Sequence, residues 1–219
     1  AWRVETLLTK EEGTIRWLQQ CGPSDVLYDV GANIGLYSLY AAKRGATVYA
    51  FEPHVGNAFS LLRNIAANSL TDHIQVITAP LHDELGWATF HYVSLDAGSS
   101  GHQFHSTQQE NGKPLVSVAH EIKYGTTLDA LQGRIPPPTM VKIDVDGNEL
   151  LVLKGMRAVL HDHAPRSLQV EIHQHTQVAI QEYLSAYLFE FVERHDTANG
   201  KEAISKGIPV GTIAHNERF

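Results

Sequence analysis

Apolar residues in this chain fall into short runs separated by stretches with helical spacing. Residues 10–20 predict an opening helix stopped by CGPSD, the last part of an N-terminal helical segment over 1–24. VLYDV (26–30), TVYAFE (47–52) and IQVITA (74–79) are dense enough in apolar and β-branched residues to predict buried strands. The segments between them, about 34–43 and 56–68, predict helices, the second through Phe59, Leu62, Ile65 and Ala66. After the turn-rich GRIPPPT the alternation resumes. MVKIDV (140–145) and SLQVEIH (167–173) predict strands, and NELLVLKGMRAVL (148–160) and residues 176–187 predict helices. LFEFVER and IPVGTIAH predict two closing strands paired antiparallel. Strands alternating with helices predict a mostly parallel sheet covered on both faces, a doubly wound α/β fold.

The alternation breaks once. WATFHYV (87–93) has strand periodicity, PLVSVA (114–119) is the expected partner strand, and SLDAGSSGHQFHSTQQENGK between them has no periodicity. The insertion over residues 85–120 is therefore expected to carry a functional or mobile loop at 94–112.

A length of 219 residues suits one domain with one sizeable core. Net charge of −7 argues against a general nucleic-acid or anionic-membrane binder. Cys21 is the only cysteine, which excludes an internal disulfide and gives a cytoplasmic expectation. No apolar run reaches the length of a membrane span, and the opening AWRVETLLTK lacks the pattern of a secretory signal. The sequence leaves the oligomeric state open.

Candidate chemistry starts at YDVGANIGLYS (28–38), where a strand runs into Asp29, Gly31 and Gly35 before a helix begins. Free amides at such a turn are expected to take the polar tail of a ligand. Glu52 ends the neighbouring strand 21 residues after Gly31, a spacing that suits a carboxylate on ribose hydroxyls. The plain alternative is two turn glycines and a helix cap. Asn33 replaces the middle glycine of a dinucleotide fingerprint, and Asp29 would repel a pyrophosphate. An ammonium and sulfonium cofactor, S-adenosylmethionine, is therefore favoured over NAD.

DVGANIG (29–35), AFEP (50–53), LLRNIAAN (61–68), VKIDVDGNELLVLKGM (141–156) and VEIH (170–173) together resemble the FkbM family of S-adenosylmethionine-dependent methyltransferases. The resemblance implies a class I methyltransferase (Rossmann-like) seven-stranded sheet with a reversed final strand. It also implies O-methylation of a hydroxyl on a sugar, polyketide or related metabolite. Cofactor contacts are implied for Asp29, Gly31, Ala32, Asn33, Gly35, Phe51, Glu52 and Pro53. The family more often reads KIDVEG, so Asp146 stands where a glutamate is usual. Asp83 is the nearest substitute for the acid that many such enzymes place beside the adenine.

Lys142, Asp144 and Asp146 share one face of a strand, and Gln169, Glu171 and His173 share one face of the next. Two buried strands that turn polar near their carboxyl ends mark a site. Asp144, Asp146, Glu171 and His173 are the catalytic candidates, with His173 and Asp144 expected at the acceptor hydroxyl. Structural readings stand beside these: a Lys142–Glu171 ion pair, and Asp146 with Glu149 as a helix cap. A divalent metal on Asp144, Asp146 or Glu171 is left open, and histidine pairs 161/163 and 173/175 are weaker metal candidates. An NAD-linked oxidoreductase and a non-catalytic binding domain are the competing functions.

Overall fold

The computed structural model describes residues 12–109, 112–173, 175–195 and 210–216, with 194–195 and 210–216 as backbone only. Elements run α1 (Glu12–Leu18), β1 (Val26–Val30), α2 (Leu36–Lys43), β2 (Thr47–Phe51), α3 (Val55–Ala67) and β3 (Ile74–Ile77). An antiparallel excursion follows: β4 (Gly86–Tyr92), β5 (Gln103–Phe104) and β6 (Ala119–Gly125). The main alternation returns with β7 (Met140–Ile143), α4 (Glu149–Lys154), α5 (Arg157–Asp162), β8 (Ser167–Ile172) and α6 (Gln177–Ser185). Strands β9 (Phe189–His195) and β10 (Val210–Asn216) close it.

The main sheet has the order β3-β2-β1-β7-β8-β10-β9. Its first five strands are parallel, and β10 runs antiparallel to both β8 and β9. The architecture is a mixed α/β sheet with flanking helices on both faces. Residues 10–11 of the expected first helix and 208–209 of the expected last strand lie outside the described residues.

Both sheet faces are apolar because both are covered. On one face Val30, Phe51, Val141, Ile143, Val170 and Ile172 pack with residues of α4, α5 and α6. On the other, Leu27, Val48, Ala50 and Met140 pack with Trp17 and Leu18 of α1, Ala41 and Ala42 of α2, and Leu61 and Ile65 of α3. Two polar residues on β8 serve this packing. Trp17 Nε1 donates to Ser167 Oγ at 2.7 Å, and Gln169 Nε2 donates to Thr14 Oγ1 at 2.5 Å. Gln169 thus ties α1 to the sheet.

Two expected elements differ. The helix over 148–160 is two helices, broken at Gly155 and Met156. Gly155 O accepts from Asp129 N at 3.0 Å, and Asp129 Oδ1 accepts from Val159 N at 3.0 Å, so Asp129 ends one helix and starts the next. The partner of β4 is 119–125, not 114–119. Val116 and Val118 are exposed, whereas inward-facing Glu121 receives the Tyr92 hydroxyl and pairs with Lys123 at 3.1 Å. Those inward charges disguise the strand.

A Cβ at Gly155 would stand 2.1 Å from the His82 carbonyl oxygen. Gly155→Ala should therefore lower stability by about 1–3 kcal/mol through forced displacement of one backbone segment. Denaturant unfolding checks this, and an unchanged midpoint would show that the seam relaxes freely.

Candidate cofactor and acceptor site

The turn from β1 to α2 is held open by backbone conformation, with positive φ at Gly31 (80°), Asn33 (53°) and Gly35 (89°). A Cβ on Gly31 would lie 1.8 Å from the Asp144 carbonyl oxygen, so this glycine allows the turn to touch the end of β7. The turn's amides are spent within the protein. Gly31 N and Ala32 N both donate to Phe51 O at 3.0 Å, and Gly35 N donates to Ala32 O at 2.8 Å. Asn33 N donates to Glu52 Oε2 at 2.7 Å, and Ile34 N donates to Asn33 Oδ1 at 2.9 Å. The amides of Gly31 to Gly35 are therefore not free to hold a pyrophosphate. The turn's product is a fixed carboxylate.

That carboxylate is Glu52, which is 5% exposed and lines the cleft at the carboxyl ends of the strands. His54 N donates to its second oxygen at 2.8 Å. Burial pushes its pKa up to about 7 against these backbone bonds. Each oxygen still has room for a further hydrogen bond.

The cleft wall includes Gly31, Ala32, Asn33, Phe51, Glu52 and Pro53 from the cofactor set. Asp29 and Gly35 stand behind it. Asp29 is fully buried, accepts from Ser38 Oγ at 2.6 Å, and is held above the usual carboxylate range by burial. Gly35 packs against Leu61. Asp83 pairs with His82 at 2.6 Å and does not line the cleft, which takes Ala79, Pro80 and Leu81 from this segment.

Lys142, Asp144, Asp146 and Glu171 meet on the opposite wall. Lys142 Nζ donates to Asp144 Oδ2 at 2.8 Å and lies 5.2 Å from the Tyr37 ring centroid. Lys142 thus forms its ion pair with Asp144, where the sequence suggested Glu171. Glu171 is raised well above the carboxylate range, chiefly by burial and then by the charges of Asp144 and Glu149. It also makes a hydrogen bond to Asp144 that favours its protonated form. His173 is 2% exposed and lies outside the cleft lining, with a ligand atom within 4.8 Å of one on Glu171.

Asp146 does not cap the helix. It adopts φ 55°, its Oδ2 accepts from Gly101 N at 2.7 Å, and its carbonyl accepts from Gln103 Nε2 at 2.8 Å. Glu149 does the reaching back, accepting from Val145 N at 3.1 Å and Gly147 N at 3.0 Å through Oε1. The segment that Asp146 holds forms a third wall through Ser99, Ser100 and His102. Ser99 O accepts from Asn33 Nδ2 at 2.9 Å and Asn57 Nδ2 at 3.1 Å, and the His102 ring stacks on His54 at 4.2 Å. Apolar periodicity did not single out Tyr37, Asn57, Ser99 or His102, although Asn57 shares the buried face of α3 with Leu61 and Ile65.

Among the lining residues, four carboxyl groups (Glu52, Asp144, Asp146 and Glu171) face one lysine. This donor set fits a cationic ligand carrying hydroxyls and disfavours a polyphosphate. The Methyltransferase FkbM domain matches residues 29–200.

The chain belongs to the FkbM methyltransferase family.

That family uses S-adenosylmethionine, and the acidic cleft suits it. The FkbM chain is 28% identical to a hexuronic acid methyltransferase, AglP, from Haloferax volcanii, over 78% of this chain and 66% of that protein. It is 27% identical to the methyltransferase sdnD from Sordaria araneosa, over 59% of this chain and 60% of that protein. The chain thus spans somewhat less than two thirds of these relatives. A solved FkbM methyltransferase from Methylobacillus flagellatus superposes with a TM-score of 0.60 at 20% identity, covering 89% of this chain and 44% of that one.

The raised pKa of Glu52 makes a signed prediction. The folded protein keeps a proton that the unfolded chain loses above 4.5, so this contribution is complete below pH 4.5 and disappears as pH rises through about 7. Glu52→Gln should therefore lose less stability between pH 5 and pH 8, by roughly 2–3 kcal/mol. Equal losses in both proteins, measured by chemical denaturation, would place Glu52 in a solvated setting.

Proposed function

We propose that this chain transfers a methyl group from S-adenosylmethionine to a hydroxyl of a sugar, polyketide or related small metabolite. The observation that carries the reading is the cleft itself, with Glu52 fixed at one wall and Asp144 and Glu171 at the other. When bound, the cofactor supplies an electrophilic methyl on a positively charged sulfur.

Glu52 accepts ribose hydroxyls, for which the Asn33 and His54 amides hold it rigid. The Gly31 turn and Pro53 shape the wall beside it. Asp144 is the favoured acceptor of the substrate hydroxyl's proton. It lines the cleft with its side chain 34% exposed, and Lys142 sets its orientation. Glu171 beside it is hydrogen-bonded to Asp144 and helps to hold that carboxylate in place. Holding the hydroxyl in line for displacement supplies up to ~7–11 kcal/mol, and a positioned base adds roughly 10²–10⁴-fold. Sugar-type acceptors are supported by the relative described as a hexuronic acid methyltransferase. No helix among the described residues is long and apolar enough to cross a membrane. A cytoplasmic location belongs to the same proposal, resting on the lone Cys21.

The test is incubation with methyl-labelled S-adenosylmethionine and a metabolite extract, read by mass spectrometry. Label on an oxygen of a sugar or related metabolite is expected, and label on nitrogen or carbon would overturn the acceptor class. Glu52→Ala should weaken cofactor binding by on the order of 100-fold, from two lost charge-assisted bonds of ~1.5–3 kcal/mol each. Asp144→Asn should cut turnover roughly 10²-fold with cofactor affinity nearly intact. Loss of cofactor binding in that variant would move Asp144 to the cofactor side.

A further inference from the structure

Behind the acceptor wall lies a group of which the methyl-transfer reading uses only Glu171. Glu149, Glu171 and His173 each offer one ligand atom, and these atoms lie within 4.8 Å of one another. Glu149 is 0% exposed, yet its Oε2 has no hydrogen-bond partner among the described residues. Its other oxygen is pinned by the amides of Val145 and Gly147, which leaves Oε2 as the atom available to a ligand. A buried, unpartnered carboxylate oxygen is costly. Lys142, the lysine of this wall, is directed to Asp144.

We infer that Glu149, Glu171 and His173 bind one divalent transition-metal ion of the manganese type. Two carboxylates balance its charge, and an imidazole in the set favours manganese, cobalt or zinc over magnesium. The two glutamates come from neighbouring segments, Glu149 from the first turn of α4 and Glu171 from β8, with His173 just past the strand's end. Glu171 alone of the three lines the cleft, so the ion sits at the cleft floor with its open side toward the acceptor. This differs from the metal set left open by the sequence. Asp144 and Asp146 are committed to Lys142 and Gly101, and Glu149 takes their place. The inference shares Glu171 with the methyl-transfer reading, but its readout is the ion, so the two fail separately.

The experiment is titration of chelator-stripped protein with Mn²⁺, following free ion by electron paramagnetic resonance. One equivalent should bind, and spin-echo modulation of the bound ion should carry an imidazole nitrogen. Glu149→Gln and His173→Gln should each weaken binding at least tenfold. His161→Gln, in the exposed His161–Asp162 pair, should leave it unchanged. No stoichiometric binding of Mn²⁺, Co²⁺ or Zn²⁺ would overturn the site. So would full affinity in either ligand variant, or a loss in the His161 variant alone. Should the ligand variants fail to fold, the wild-type echo decides, and absence of the nitrogen coupling rejects the site.

Discussion

The structure turns on the burial of carboxyl groups around one ammonium. Lys142 is 2% exposed, donates to Asp144, and lies close enough to Asp29 to draw its pKa down against burial. Asp29, Asp144, Asp146, Glu149 and Glu171 all gather at the carboxyl ends of β1, β7 and β8. Asp29 and Glu149 are buried and the others partly so, and the fold answers each one separately. Asp29 takes the Ser38 hydroxyl, Asp146 and Glu149 take backbone amides, and Glu171 keeps a proton. Removing one buried partner leaves the others exposed to a cost of several kcal/mol.

That constraint explains the backbone as well as the side chains. Asp144 N bonds Val30 O at 3.0 Å, and the Gly31 turn presses against the Asp144 carbonyl. The turn that fixes Glu52 is therefore packed on the strand end that presents Asp144. Cofactor wall and acceptor wall are one rigid object at this point. The third wall is tied to both, through Asn33 and Asn57 on one side and Asp146 on the other. The stretch after β4 makes these ties through its backbone, at Ser99 O and Gly101 N.

Local periodicity made much of this legible. The strands over 26–30, 47–52, 140–145 and 167–173 and the Gly31-to-Glu52 spacing follow from short-range rules, and they place the cleft. Polar positions interrupting β7 and β8 pointed to the second wall, although Gln169 proved to be a packing tie to Thr14. What escaped depends on contacts distant in sequence. Nothing local marks Ser99 as a partner of Asn33, or Asp129 as the residue that splits the helix over 148–160. His173 shares a strand face with Glu171, but chain direction past β8 carries its ring behind the wall. Asp146 looked like a helix cap because spacing cannot reveal its positive φ.

The central claim is that this acidic cleft selects a cationic nucleoside cofactor and rejects a pyrophosphate. Calorimetric titration with S-adenosylmethionine and with NAD, under identical low-salt conditions, addresses it most directly. One equivalent of S-adenosylmethionine should bind, with NAD at least 100-fold weaker (~2.7 kcal/mol). Comparable affinity for NAD would contradict the account, because the turn's amides would then be serving a ligand rather than Phe51 and Glu52.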